Sequence, residues 1–221
     1  GYRLFCACAN LPENFPSGVI IPSPALDKAA KIFHGDVNIA LCDIDNLCAN
    51  HVVITGPAKD KTLAAVGAEI EVWALTIPGS FPDLATILDP VYAELPVTFQ
   101  ISPQALLDTL APLHATACAD IIILVVEENT LHLVTRSEEH GKQTARIPIR
   151  QHAEEPTFVA CNITYLEDAV KSLQLLTGGD VVFRIPPLKD DGKPPARPFG
   201  VSDPEDRFRW ATMPMHLENY V

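Results

Sequence analysis

The most regular feature of the chain is a stripe of apolar residues with helical spacing, set between two short apolar runs. Intervals of three and four place these residues on one face of a helix. They are Leu26, Ala29, Ala30 and Phe33. Ser23 is a favourable N-cap, Pro24 fits the first helical position and Gly35 is a helix stop. Residues 36–41 then alternate as a strand does, so the segment predicts a strand, a helix and another strand.

A second segment, residues 157–185, has the same plan. An apolar run opens it, and Thr164 and Glu167 have the spacing of a capping box at a helix start. The stripe that follows consists of Leu166, Ala169, Val170 and Leu173. Gly178 and Gly179 end the helix, and an apolar run after Asp180 predicts the next strand.

A third, partial copy begins at residue 97. Its apolar run leads into a stripe made of Leu106, Leu107, Leu110 and Leu113. Two predicted strands follow at 120–127 and 130–136, joined by a tight turn at Glu128-Asn129.

Copies of one unit thus account for most of the chain. We expect an α+β fold built from repeated β-α-β-β-β units, with the helices on one face of antiparallel sheets. Two copies can cover each other's apolar faces, but the third copy has no mate in the sequence. Either another chain supplies the mate or the natural polypeptide is longer than these 221 residues.

Composition narrows the classes of protein. The formal net charge is −12, with 16 basic and 28 acidic residues, which argues against coating nucleic acid by bulk charge but allows a local basic patch. The longest aliphatic run, residues 121–126, is far shorter than the roughly 20 residues of a membrane-spanning helix. We see no secretory leader before the cysteines, and we expect reduced thiols and a cytoplasmic location.

Four short strings stand out, in order, on these repeats. They are Gly1-Tyr2-Arg3-Leu4, Gly79-Ser80-Phe81-Pro82-Asp83, Asn162-Ile163-Thr164-Tyr165-Leu166 and Met213-Pro214-Met215-His216-Leu217. Together they resemble motifs of the bacterial sliding clamp, the beta subunit of DNA polymerase III. Leu84 stands where that family usually has tyrosine, and His216 stands where it has arginine.

The resemblance implies an architecture. Each clamp domain is two units packed together, and helices line the inside of a ring that three domains from each of two chains close around DNA. On that plan, residues 1–92 are the second half of the middle domain and residues 93–221 are the complete third domain. The missing remainder agrees with the odd number of copies, so we expect a fragment or a naturally shortened clamp.

The resemblance also implies a function without catalysis. The family's processivity factor encircles duplex DNA without regard to sequence and tethers the replicative polymerase. Peptide motifs of polymerases and clamp loaders bind its pocket, and it needs no cofactor and no membrane. A homo-oligomeric ring is expected if the N-terminal part is present. The alternative is a truncated, clamp-derived module that binds peptides and forms no ring.

Carried over by position, the resemblance implies an apolar pocket for partner peptides. Its residues would be Tyr2, Arg3, Leu4, Pro82, Ile87, Tyr165, Ala196, Pro198, Met213, Pro214, Met215 and Leu217. Aliphatic side chains and thioethers suit such a pocket because they repack around different guests. Taken singly, Leu4 and Ile87 fit equally well as core residues at a domain junction.

Two further surfaces are implied. Lys28, Lys31 and Lys171 lie off the apolar stripes of their helices and would face DNA phosphates, although solvated lysines on ordinary amphipathic helices are the simpler interpretation. Leu113 and His114 fall at the contact that closes the family's ring.

Other motifs carry little weight. The loop from Gly56 to Thr62 ends in Lys-Thr but lacks the glycine that a phosphate-binding loop needs before the lysine. Cys6 and Cys8 match no zinc spacing, so we expect no metal site. The chain shows no constellation of general acid, base and nucleophile.

Overall fold

The computed structural model of the protein describes residues 3–7, 19–42, 51–65, 69–79, 83–117, 120–151 and 156–215. Its helices are α1 (Ser23–Ile32), α2 (Lys61–Ala65), α3 (Leu84–Tyr92), α4 (Pro103–His114) and α5 (Ile163–Thr177). Its strands are β1 (Arg3–Ala7), β2 (Asn38–Cys42), β3 (His51–Thr55), β4 (Glu71–Leu75), β5 (Phe99–Ile101), β6 (Ile121–Glu127), β7 (Thr130–Ser137), β8 (Gly141–Pro148), β9 (Arg150–Gln151), β10 (Thr157–Asn162), β11 (Val181–Arg184), β12 (Phe199–Ser202) and β13 (Phe208–Thr212). Antiparallel sheets with helices packed on them confirm the predicted α+β class.

Contacts divide the chain into two compact units. Unit 1 consists of Gly1–Asn10 and Asp83–Val221, and unit 2 consists of Leu11–Pro82. The contacts place β1 and α3 with the second half of the chain, because β1 pairs with β13 and α3 packs on β12 and β13. The boundary predicted near residue 92 divides the chain by its correspondence to clamp domains and not by internal contacts, and it stays a prediction.

Within unit 1, two copies of the repeat exchange strands. One sheet has the strand order β1-β13-β12-β11-β5-β9, and the other has the order β10-β6-β7-β8. The first strand of each copy therefore lies in the sheet of the other copy: β5 pairs with β11, and β10 pairs with β6. Neither sheet is complete without both copies.

The helices of the two copies lie side by side between these sheets. The Gln174 side-chain amide donates to Gln104 Oε1 at 2.9 Å, and His114 Nδ1 lies 2.9 Å from Glu167 Oε1, so α4 and α5 run antiparallel. Their apolar stripes share one core with both sheets, in which the rings of Phe99 and Phe183 stack with centroids 4.5 Å apart. The two copies thus cover each other's apolar faces, as the sequence predicted.

The helix ends differ in detail from the sequence prediction. The cap of α5 is Asn162, whose side-chain oxygen accepts from the Tyr165 amide at 3.0 Å, so the predicted capping box of Thr164 and Glu167 is wrong. Helix α1 begins at Ser23 itself, one residue earlier than predicted. Gly178 ends α5 as predicted, with a φ of 66° that glycine adopts without strain.

Unit 2 holds a single copy of the repeat. Helix α1 packs against the three-stranded sheet β2-β3-β4, and the small core contains Ala29, Phe33, Val52, Ile54 and Val72. The short helix α2 lies between β3 and β4 along the chain. No helix in the described part of the chain combines the length and apolar character needed to cross a membrane.

The shared core of unit 1 gives a first prediction. Leu106 on α4 is fully buried, whereas Leu175 near the end of α5 is 88% exposed. Leu106→Ala should lower the free energy of unfolding by about 2–5 kcal/mol, because it leaves a cavity between the helices and the sheets. The matched control, Leu175→Ala, should change it by less than about 0.5 kcal/mol. Urea unfolding followed by circular dichroism measures both values, and equal unfolding midpoints for the two variants would contradict the shared core.

Candidate functional site

The predicted pocket residues that the structure describes all belong to unit 1. Tyr2, Pro82 and Leu217 lie outside the described residues. Arg3 and Leu4 are placed by backbone pairing only, with Arg3 opposite Thr212 and Leu4 opposite Ala211 on β13. The strand register thus brings β1 beside the last strand of the unit, directly before the Met-Pro-Met segment.

That segment, residues 213–215, connects the two sheets. It leaves β13, and the Met215 amide donates to the Ala160 carbonyl of β10 at 2.8 Å. Strand β10 runs directly into α5, whose first turn carries Tyr165. Met213, Pro214, Met215 and Tyr165 are half-buried, so each of them still offers surface to a ligand.

Helix α3 covers the opposite face of the β11–β13 sheet from α5. Phe199 and Val201 of β12 point into the core that holds the α5 stripe, whereas a side chain at the intervening Gly200 would collide with Val91 and Tyr92 of α3. Glycine is required at position 200 because the helix approaches the strand backbone this closely. On α3, Ile87 is 37% exposed and Leu88 is buried.

The segment before β12 is tied to α3 by a residue that the sequence did not single out. Arg197 lies between the predicted pocket residues Ala196, which is exposed, and Pro198, which is half-buried. Its guanidinium donates to the Pro90 carbonyl at 3.3 Å and to Glu94 at 3.0 Å. The structure therefore holds 196–198 beside the end of α3, and it holds 213–215 beside the start of α5.

Tyr92 anchors α3 to the sheet beneath it. Its phenol oxygen lies 2.7 Å from the Trp210 carbonyl and 2.9 Å from the Val201 carbonyl, and it accepts from the Trp210 amide at 3.1 Å. Burial raises the pKa of Tyr92 well above its usual range, so the phenol keeps its proton and can donate. The guanidinium groups of Arg184 and Arg209 lie over the ring, 5.2 and 5.3 Å from its centre.

Arg184 is a buried cation in an otherwise apolar strand. Its two terminal nitrogens each donate to a carboxylate oxygen of Asp206 at 2.9 Å, and one of them also donates to Ser202 Oγ at 3.0 Å. The Ser202 hydroxyl in turn donates to Asp206 at 2.6 Å. This bidentate ion pair, extended by the Ser202 hydroxyl, fixes the sheet on which α3 rests.

The turn between β12 and β13 is closed by Asp203. Its buried carboxylate accepts from the Phe208 amide at 2.8 Å and from Arg207 Nε at 3.0 Å. Burial alone would raise the pKa of Asp203, but these hydrogen bonds and the charge of Arg207 outweigh it and hold that pKa below its ordinary value. The hydrogen bonds of the ionised Asp203 carboxylate fix the turn from which β13 continues toward 213–215.

The lysines predicted to face DNA are exposed, but two of them are already paired. Lys31 donates to Asp27 at 2.6 Å on α1, and Lys171 donates to Glu167 at 2.6 Å on α5. Lys28 makes no ion pair within the described residues. The outward charges of α4 and α5 are mostly acidic, because Lys171 shares these helices with Asp108, Glu167 and Asp168.

The residues predicted for ring closure have different environments. Leu113 is buried in the core of unit 1. His114 is partly exposed, with Nδ1 at 2.9 Å from Glu167 and Nε2 at 3.6 Å from Asp120. Burial opposes ionisation of Glu167, yet hydrogen bonds from Lys171 and His114 bring its pKa below the ordinary value. Any outward contact at this point would be made by His114, and the predicted ring contact stays a prediction.

The described ranges show no metal-binding cluster. They contain no group of three or more His, Cys, Asp or Glu side chains placed to hold a metal ion. Cys161 is a buried free thiol, and burial raises its pKa far above the usual range, so the thiol keeps its proton. Cys42 is also a free thiol.

A scan against protein-family models gives no match to this chain, and a search of curated proteins gives none either. Solved structures do match. A beta sliding clamp from Caulobacter crescentus, with polyethylene glycol bound in a region assigned to tethering the beta-motif, superposes with a TM-score of 0.73 at 19% identity, over 98% of this chain and 51% of that one. The chain has the sliding-clamp fold.

Two more clamp structures show the same likeness. The sliding clamp of Bartonella birtlesii, bound to griselimycin, matches with a TM-score of 0.73 at 18% identity, over 98% of this chain and 52% of that one. The clamp of Helicobacter pylori, bound to a DNA ligase peptide, matches with a TM-score of 0.67 at 18% identity, over 90% of this chain and 46% of that one. The chain thus spans about half the length of these clamp chains.

The closed turn at Asp203 predicts a pH dependence of stability. The pKa of Asp203 is lower in the folded chain than the ordinary value of 3.8, so the stability it contributes is present above about pH 4 and is lost as the pH falls below that value. Asp203→Asn should lower the free energy of unfolding by about 1–3 kcal/mol at pH 7. The difference from wild type should shrink on acidification.

Urea midpoints measured between about pH 7 and pH 2 test this expectation. Asp190→Asn, in the exposed loop before β12, is the control and should keep the wild-type profile. A difference between Asp203→Asn and wild type that stays constant down to the lowest pH would contradict the role of the ionised carboxylate.

Proposed function

We propose that this chain is part of a DNA sliding clamp, a processivity factor without catalytic activity that acts in the cytoplasm. In this proposal it encircles duplex DNA within a ring and tethers the replicative polymerase through a peptide-binding pocket in unit 1. The observation that carries the proposal is the pair of strand-exchanged copies in unit 1, within a chain that has the clamp fold over 98% of its length.

The surface around residues 213–215 supports peptide binding. The Met215–Ala160 hydrogen bond holds 213–215 beside the strand that leads into α5 and Tyr165. In this proposal, α3 with Ile87 and the segment 196–198 form the other walls of the pocket. Partly exposed aliphatic and thioether side chains on this frame can repack around different apolar guests. Two or three buried anchor side chains give roughly micromolar affinity once ordering costs are subtracted. The clamp structures with griselimycin and with a ligase peptide supply suitable probes.

Side-chain contacts hold the elements proposed to frame this surface. Tyr92 and Arg197 fix α3 to the sheet and to the segment before β12, and the Arg184–Asp206 pair holds the sheet itself. Binding to elements that are already fixed in place costs little conformational entropy, so weak anchors suffice. Weak binding suits a scaffold that exchanges partners.

A second candidate function has a specific observation in its favour. The helices α4 and α5 carry three carboxylates against one lysine, and that lysine is paired with Glu167. Such a surface gives little attraction for phosphates. The alternative is therefore a clamp-derived module that binds peptides through unit 1 and forms no ring on DNA.

The pocket predicts the outcome of a paired substitution. Met215→Ala together with Ile87→Ala should weaken binding of the ligase peptide at least about tenfold, a loss of about 1.4 kcal/mol, because both sides of the surface lose an apolar anchor. Fluorescence polarisation with the labelled peptide measures the affinity, and griselimycin competition checks the site.

The matched control is Leu175→Ala with Leu176→Ala, which removes two exposed leucines from the far end of α5. This control should leave peptide affinity unchanged. Unchanged affinity in the Met215 and Ile87 variant would show that the pocket lies elsewhere. Failure of the wild-type chain to bind either probe would refute peptide binding itself.

Salt dependence separates the two candidate functions. If Lys28, Lys31 and Lys171 neutralise phosphates, binding of a short duplex should fall with salt with a logarithmic slope of at most about −3. Replacing all three with Ala should abolish that binding, whereas replacing the exposed Lys142, Lys189 and Lys193 should leave it unchanged. Absence of duplex binding at about 50 mM salt would contradict the clamp proposal and favour the peptide-binding module.

A further inference from the structure

The hairpin of β7 and β8 in unit 1 is basic, although the chain as a whole is acidic. The chain has 28 acidic and 16 basic residues, yet neither of these two strands contains an Asp or a Glu. Together they carry Arg136, Lys142 and Arg146, and also His132. In a chain with a net charge of −12, this local excess of positive charge indicates a site for an anionic partner.

The basic residues of this hairpin share one face of the sheet. Side chains of a strand alternate between its two faces, and one set of alternate positions, which includes Leu131 and Ile147, is buried in the core of unit 1. The basic residues occupy the other set. The two arginines and the lysine are exposed, and the histidine is half-buried. The positive charges therefore lie on the face directed away from the helices.

The strand register places basic residues directly opposite each other. Arg136 faces Lys142, and His132 faces Arg146. Like charges at directly opposite positions destabilise a sheet. His132 Nε2 lies 3.7 Å from Glu127 at the end of β6, but Lys142 and Arg146 have no ion pair among the described residues. An acidic partner beside β8 would offset this repulsion.

Strand β8 is also the edge of its sheet. The strand order is β10-β6-β7-β8, so among the described residues β8 has a strand neighbour on one side only. Its other side presents backbone N–H and C=O groups to which a further strand can bind. Lys142 and Arg146 lie about 13 Å apart along this edge, at about 3.3 Å per residue. Alternate side chains of an added strand would reach both of them.

This combination favours a peptide over a nucleic acid. Phosphates would match the positive charges, but they only accept hydrogen bonds and would leave the edge carbonyls without donors. An extended peptide matches the charges with its side chains and the edge with its own N–H and C=O groups. In the clamp plan the helices face DNA, so this outer face of the sheet is directed away from the duplex.

We propose that the outer edge of β8 binds an extended acidic segment of a partner protein. The segment adds to the four-stranded sheet beside β8, and its Asp or Glu side chains, at alternate positions, contact Lys142 and Arg146. The edge adjoins α4 and its predicted ring contact, since Thr116 Oγ1 donates to Gln143 Oε1 at 2.7 Å. In a ring the segment belongs to the neighbouring chain. That source rests on the proposed function, whereas the charge requirement does not.

A charge exchange tests the proposal on the full chain. The probe is a short labelled peptide with Glu at alternate positions and Val or Thr between them, and fluorescence polarisation measures its affinity. Lys142→Glu together with Arg146→Glu should weaken binding at least about tenfold, because like charges then face each other. The same peptide with Lys in place of Glu should bind this variant and not the wild type. The control, Lys189→Glu with Lys193→Glu in an exposed loop, should keep the wild-type affinity.

Two further measurements distinguish strand addition from loose attraction between charges. Hydrogen exchange should show slower exchange of the β8 amides when the acidic peptide is bound. Lys142→Glu alone, without peptide, should raise the urea midpoint, because an attraction to Arg136 replaces a repulsion. A rise would show that the wild-type lysine reduces the stability of the free chain.

Several results would overturn the proposal. They are no binding of the acidic peptide up to about 1 mM, unchanged affinity in the folded Lys142 and Arg146 variant, and unaltered exchange of β8. The first result would leave the charges only the role of protecting an exposed edge from aggregation. A single-stranded oligonucleotide that binds this face when the peptide does not would assign it to nucleic acid. Binding of the ligase peptide, measured in parallel, separates a failure here from a failure of the proposed function.

Discussion

The structure of unit 1 depends on the burial of two striped helices against each other and against two shared sheets. Leu106, Leu110 and Val170 are buried completely only because α4 and α5 lie side by side. The exchange of β5 and β10 makes this covering obligatory, since each sheet needs a strand from the other copy. Hydrophobic burial and strand pairing therefore act on the same pair of copies, and we expect neither copy to be stable without the other.

Those parts of the fold that depend on local sequence could be predicted. The three stripes identify α1, α4 and α5, and the turn at Glu128-Asn129 correctly joins β6 to β7. The helix caps were less predictable, because Asn162 and Thr164 are both suitable cap residues and only the geometry decides between them. The exchange of leading strands could not be inferred from any one segment, since β5 and β11 are far apart along the chain.

For the candidate site too, local segments could be predicted, whereas long-range contacts could not. Its expected residues came from a resemblance in short strings, and the structure brings 213–215 to the start of α5 and 196–198 to the end of α3. The residues that hold this frame were missed. Arg184 in an apolar strand indicates a buried ion pair, but its partner Asp206 lies in the turn between β12 and β13 and could not be identified from the sequence. Tyr92 and Trp210 are 118 residues apart in the chain, so their contact could not be predicted either. Sequence spacing carries no information about such pairs.

The three copies keep the same residue type at the first apolar position of the helix stripe but differ in charge at a neighbouring position. Leucine occupies the first position of every stripe, as Leu26, Leu106 and Leu166, and it is buried in the two copies that cover each other. Two residues later the chain has Lys28 in one copy and Asp108 or Asp168 in the others. A side chain that packs between the copies must fit the space available there. A side chain directed outward is constrained only by solvent or by a binding partner. The shared geometry explains why the clamp fold is retained at 17–20% identity to solved clamps. What the protein binds depends on the residues that the fold leaves free to differ.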